Sequence, residues 1–152
     1  MQVPPNSDLT LGMTCVDKSV PGRCVWRMRA DERFANPAGI MQGGFLGAFA
    51  DSAMGAAAVT FVQGRKVFAA NAEMKISFLA PVPPGAWLEC VAEVISGGGR
   101  VAFVEASITA AGVAIEGGGA ADRPDEPESP RLVARATSTY MFRDRDESVS
   151  AT

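Results

Sequence analysis

The chain predicts an α+β domain in which a curved antiparallel sheet wraps one long buried helix. Three observations carry this. Between Arg33 and Arg65 the only ionisable side chain is Asp51, set in a run rich in Ala, Gly, Phe and Met. Downstream, apolar and polar residues alternate over several segments, the period of half-buried strands. Two of those segments are joined by Ser96-Gly97-Gly98-Gly99-Arg100, which reads as a hairpin turn.

Residues 1–20 are Pro-rich and polar with weak periodicity, and no element is assigned to them. Cys24, Trp26 and Met28 alternate with Arg23, Arg27 and Arg29, a first strand. Asn36-Pro37-Ala38-Gly39 forms a turn. The helix starts near Gln42-Gly43-Gly44 and ends near Gln63-Gly64, where the glycine suits a C-terminal cap. Its length and apolarity also suit a membrane span. An Asp at a membrane centre costs roughly 2.5–3.5 kcal/mol, however, and the alternating strands that follow favour a helix buried in protein.

The clearest strand comes next, with Phe68, Ala70, Ala72, Met74, Ile76 and Phe78 on one face and Asn71, Glu73, Lys75 and Ser77 on the other. Pro81, Pro83 and Pro84 stop it. Leu88, Cys90, Ala92 and Val94 mark the following strand, Ala102, Val104, Ala106 and Ile108 the returning one, and a last strand runs from about Leu132 to Phe142. Residues 116–130 are acidic and Gly/Pro-rich and read as a long mobile loop within a single domain of residues 21–142. Residues 143–152 read as a disordered tail.

With 152 residues, 47% of them hydrophobic, the chain has enough material for one real core and too little for two domains. A net charge of −3 gives no sign of a nucleic-acid or anionic-membrane surface. Cys15, Cys24 and Cys90 are widely spaced and odd in number, which fits reduced thiols in a cytoplasmic protein. No basic-then-apolar opening suggests a secretory signal. Histidine is absent, so Ser-His-Asp and Cys-His catalysis and any His base are excluded. The remaining chemistry rests on carboxylates, amides, hydroxyls and backbone dipoles.

Burying a lone carboxylate on an apolar helix is costly unless it is paired, hydrogen-bonded or protonated. A chain of marginal stability has reason to keep Asp51 only if it is used. Gly47, Ala48 and Gly55 leave room beside it. Those small residues equally permit close helix–sheet packing with Asp51 bonded to a backbone N–H. At Gln42-Gly43-Gly44 the first unpaired N–H groups of the helix and its positive end can hold an oxyanion or a polarised carbonyl oxygen, and the glycines admit close approach. Asp51 lies eight residues beyond Gly43, about 12 Å along the axis. One monomer cannot bring both groups to one carbonyl, but a two-fold interface can.

Asn36-Pro-x-Gly39-x-x-x-Gly43-Gly44, followed after six residues by Asp51-x-x-x-Gly55, resembles the signature of the hotdog-fold acyl-CoA thioesterases, particularly the PaaI-like (phenylacetyl-CoA) branch. Phe78-Leu79-Ala80-Pro81 and Gly99-Arg100-Val101-Ala102-Phe103 extend the likeness over about Cys24 to Phe142. The resemblance implies an acyl-CoA substrate, with coenzyme A part of it and no separate cofactor. It also implies a homodimer or homotetramer. Asp51 would be the general base or nucleophile, Gly43 the oxyanion donor, and Asn36 a residue orienting water or the carbonyl. Gln42, Gly44 and Asn71 would line the substrate. Arg100 would meet the coenzyme A phosphates, with Arg65, Lys66 and Arg143 behind it. Two positions depart from the pattern: Gln42 stands where many members have His, and Asn71 where relatives often have Ser or Thr. Neither amide transfers a proton near neutral pH. A hotdog protein that binds an acyl ligand without turnover is therefore the alternative, and a His-dependent hydratase ranks low.

Overall fold

A computed structural model describes residues 4–112 and 129–144. A short helix α1 (Asn6–Leu11) and strand β1 (Thr14–Asp17) precede β2 (Arg23–Arg29) and a single 3-10 turn (Glu32–Phe34). The long helix α2 (Gly43–Phe61) follows. Four long strands follow among the described residues: β3 (Val67–Phe78), β4 (Trp87–Gly97), β5 (Val101–Ala111) and β6 (Arg131–Asp144). Among the described residues the six strands form one sheet in the order β1-β2-β4-β5-β6-β3, antiparallel at every pairing. The α+β architecture expected from the periodicity is the one observed.

α2 crosses the inner face of this sheet. Phe49, Ala50, Ala53, Met54, Ala57 and Ala58 are fully buried, against Cys24 and Met28 of β2, Leu88 and Cys90 of β4, and Val104 and Ile108 of β5. The helix is long and apolar enough to cross a membrane by length and composition, but these contacts make it the core of the domain. Its alanines and glycines let the sheet close around it at short range. α2 ends at Phe61, and Gly64, with φ +77°, turns the chain into β3.

α1 and β1 lie in the segment to which the sequence assigned nothing. The helix is only six residues long and β1 only four, too short for either period to register. β6 reaches Asp144, so Arg143 and Asp144 belong to a strand rather than to the tail. The loop expected at 116–130 and the tail beyond 144 fall outside the described residues, apart from Ser129 and Pro130.

The expected face assignment of β3 is overturned. The ladder between β3 and β6 slips between Asn71 and Glu73, leaving Ala72 without an opposite residue. Before the bulge Asn71 opposes Tyr140; after it Met74 opposes Ser138. Tyr140 and Ser138 are both buried, and cross-strand partners share a face. Asn71 therefore turns inward with Met74, Ile76 and Phe78, while Phe68 and Ala70 turn outward. Strict alternation missed this because one inserted residue exchanges the two faces.

Candidate active site

The first half of the site is a cleft of about 580 Å³ at the start of α2, lined by Asn36, Ile40, Gln42, Gly43, Gly44 and Phe78 among others. Backbone bonds fix the approach to the helix: Gln42 N–H donates to Phe34 O at 2.8 Å and Met41 N–H to Val82 O at 2.8 Å. Gln42 is the N-cap residue and its side chain makes no capping bond. The helix also has no acidic residue in its first turn, so its positive end is uncompensated by side chains. A β-carbon on Gly43 would stand 2.7 Å from the Phe78 ring, whereas one on Gly44 would meet nothing within 4 Å. Close approach to the backbone is thus possible at Gly44, with the Phe78 ring forming the wall beside Gly43.

Asn36 is committed in part to its own turn. Its Oδ1 accepts from Ala38 N–H at 2.9 Å and from Ile40 N–H at 3.4 Å, an Asx-type turn completed by Gly39 at φ +77°. Its Nδ2 has no partner among the described residues and belongs to the cleft lining.

The second half lies two helical turns along α2. Asp51 Oδ1 receives the Tyr140 hydroxyl at 2.5 Å and Asn71 Nδ2 at 2.6 Å. Its Oδ2 has no partner among the described residues. Ser138 Oγ stands 2.8 Å from Asn71 Oδ1 and 2.7 Å from the Glu73 carbonyl, so the Asn71 amide is oriented with its nitrogen toward the carboxylate. Burial, then the hydrogen bond to Asp51 and the negative charge of that carboxylate, push the Tyr140 phenol well above its ordinary value. Tyr140 stays neutral and a donor.

Asp51, Asn71, Tyr140 and Ser138 are thus brought together on one chain, while Asn36, Gln42, Gly43 and Gly44 gather at the cleft. The cations lie elsewhere. Arg100 is exposed on the β4–β5 hairpin, and Arg65 binds that hairpin through Gly99 O at 2.6 Å and the end of β6 through Asp144 Oδ1 at 2.7 Å. Lys66 adjoins Arg65, and Arg143 is exposed near the end of β6. This group sits at the C-terminal end of α2, about 27 Å from Gly43 by the helical rise.

Sequence reasoning missed Tyr140, Ser138 and Asp8. Tyr140 is the chain's one tyrosine and lies in a strand pattern; a phenol alternating with Ala134, Ala136 and Phe142 on the inward face was the available signal. Asp8, on α1, is buried and accepts from Ser52 Oγ at 3.2 Å and Ser7 Oγ at 3.3 Å. It anchors α1 beside the residue that follows Asp51.

Comparison with known proteins gives one family match. Residues 38–115, just over half of the chain, match the family model of the thioesterase superfamily. No curated protein sequence matches. Among solved structures, a thioesterase family protein from Silicibacter pomeroyi is 25% identical with a TM-score of 0.76, over 93% of this chain and 91% of that one. A putative thioesterase, phenylacetic acid degradation-related, from Ralstonia eutropha JMP134 is 25% identical with a TM-score of 0.69, over 90% and 89%. The PaaI protein of the E. coli phenylacetic acid degradation operon shares the fold at 19% identity and a TM-score of 0.72, over 91% and 84%. The six-stranded sheet, its single long helix and the matched segment from Ala38 onward agree: the chain belongs to the thioesterase superfamily, as a hotdog-fold protein of the PaaI-like type.

Proposed function

We propose that the protein hydrolyses an acyl-CoA, or another acyl thioester, to free acid and thiol at a site completed by two copies of the chain. The carrying observation is Asp51: a half-buried carboxylate with one oxygen held by two donors and the other unpartnered among the described residues. As general base, Oδ2 takes a proton from water while the water oxygen bonds to the thioester carbon. The carbonyl electrons move onto oxygen, held by Gly43 N–H at the positive end of a helix. Collapse breaks the C–S bond and the thiolate takes up the proton. As nucleophile, Oδ2 bonds to the same carbon while the C–S bond breaks and the thiolate leaves; water then cleaves the mixed anhydride, giving the free acid, restoring the Asp51 carboxylate and supplying the proton that the thiolate takes up. Asn36 and Gln42 orient water or the carbonyl, Gly44 leaves space for the acyl group, and Arg100 meets the coenzyme A phosphates. No separate cofactor is needed.

Two copies are required because Gly43 and Asp51 of one chain are about 12 Å apart along the helix. β3 supports this arrangement. It is a twelve-residue edge strand with Phe68, Met74 and Phe78 exposed, the kind of edge that proteins cover. Pairing two β3 edges would set one copy's Asp51 beside the other's cleft. The three free cysteines suit a reducing cytoplasm.

The test is subunit complementation. Asp51→Ala and Gly43→Val each abolish thiol release alone. Mixed and reassembled, they recover roughly a quarter of wild-type activity, since half the dimers carry one intact site. No recovery from folded hybrid dimers would contradict the shared site. Binding without turnover is the second reading, favoured by the amides at Gln42 and Asn71. Stabilisation by acyl-CoA with no thiol release would support it.

A further inference from the structure

Tyr140 and Ser138 lie outside the signature that carries the family resemblance, yet they control the geometry of Asp51. Tyr140 is 2% exposed, on β6. A β-carbon built on Gly55, one turn beyond Asp51, would lie 3.5 Å from Tyr140 Cε1, so the ring fits against the bare helix surface there. Its hydroxyl has a single proton and two acceptors in reach: Asp51 Oδ1 at 2.5 Å and the Asp51 carbonyl at 2.9 Å. The charged, nearer acceptor takes it. On the other side, the single proton of buried Ser138 has two acceptors in reach, the Glu73 carbonyl at 2.7 Å and Asn71 Oδ1 at 2.8 Å, and the Asn71 amide beside it is the second donor to the same carboxylate oxygen.

We infer that Tyr140 and Ser138 are positioning residues that tie Asp51 Oδ1 and leave Oδ2 as the single reacting oxygen. This rests on the thioesterase reading above. A carboxylate free to rotate presents either oxygen at many angles; one clamped through Oδ1 presents Oδ2 along one direction, which is what attack on a bound carbonyl requires. The clamp acts through Asp51 and touches no substrate.

The experiment has a kinetic arm and a spectroscopic arm. Tyr140→Phe keeps the ring against Gly55 and removes only the hydroxyl. Against an acyl-CoA that the wild type hydrolyses, kcat falls roughly tenfold to a hundredfold, the range set by a hydrogen bond to a charged group, while KM stays within about twofold. Ser138→Ala gives a smaller fall of the same kind, because the Asn71 amide then loses a neighbour that holds it in place while its nitrogen still faces Asp51. Wild-type kcat in Tyr140→Phe, or a fall matched by an equal rise in KM, would overturn the inference. Because the chain has one tyrosine, its Raman Fermi doublet reports this hydroxyl alone and needs no substrate. The doublet of a strong donor is expected in the wild type and that of a weaker donor in folded Asp51→Ala; identical doublets would overturn the clamp. The Asp51→Ala variant in the kinetic assay separates the two levels. If it retains turnover, the thioesterase role of Asp51 fails. If it is inactive while Tyr140→Phe is fully active, only the positioning role fails.

Discussion

Asn71 Nδ2 reaches Asp51 Oδ1 at 2.6 Å because the β3 ladder slips by one residue at Ala72. Without the bulge, Asn71 would share the outer face with Glu73 and Lys75, and the helix carboxylate would lose one of its two donors. A backbone irregularity on an edge strand thus sets the chemistry of a helix residue twenty positions earlier.

Asn71→Ala removes that donor from a residue exposed on the edge strand. It also removes that side chain's bonds to buried Ser138 and Tyr140, so folding stability falls by about 1 kcal/mol. Its effect on turnover is larger: loss of a hydrogen bond to a charged group lowers kcat roughly tenfold or more. Steady-state kinetics beside a thermal melt check both halves.

Gly43→Ala places a methyl 2.7 Å from the tip of the Phe78 ring. The helix tolerates alanine, and Phe78 is 54% exposed, so the ring swings away rather than the fold breaking. The cleft wall is then lost and turnover falls. Gly43→Ala combined with Phe78→Ala removes the clash. A double-mutant cycle on melting temperature should show non-additivity of at least about 0.5 kcal/mol, whereas additive effects would mean that the two residues do not contact.

Burial pushes the Cys24 thiol up to about 11 and the Cys90 thiol up to about 12 from an ordinary 9.0. Tyr140 is raised as well, by burial first and then by Asp51. In each case the folded chain keeps a proton that the unfolded chain releases. The unfolded state therefore binds fewer protons, and stability falls as pH rises above about 9. Below that pH the contribution is fully present. Denaturant midpoints measured from neutral to alkaline pH should decline, less steeply in Tyr140→Phe. A thiol reagent at neutral pH should modify the partly exposed Cys15 first and reach Cys24 and Cys90 only after unfolding.

Much of this was legible in the sequence. Alternation at Cys24-Trp26-Met28 and at Leu88-Cys90-Ala92 located β2 and β4 because one face of each strand is buried and the other is wet. Asp51 stood out because no other charge shares its helix. Three kinds of information were not legible. The bulge at Ala72 inverts a pattern that looks regular because Ala69, Ala70 and Ala72 are too small to mark either face. α1 and β1 are too short for their periods to show, and their anchor, Asp8, acts through contacts with Ser52, forty-four residues away. Tyr140 meets Asp51 across eighty-nine residues of chain, a pairing that only the closure of β6 against α2 creates.

The most direct test is thiol release from a panel of acyl-CoAs (short-chain, medium-chain, phenylacetyl and hydroxybenzoyl), with wild type and Asp51→Ala assayed side by side. Release by the wild type, reduced by orders of magnitude in a folded Asp51→Ala protein, is the predicted result, and the preferred substrate defines the acyl pocket. Equal release by both proteins would remove Asp51 from the chemistry. No release from any thioester by a folded, dimeric wild type would contradict hydrolysis and leave a hotdog protein that binds its acyl ligand.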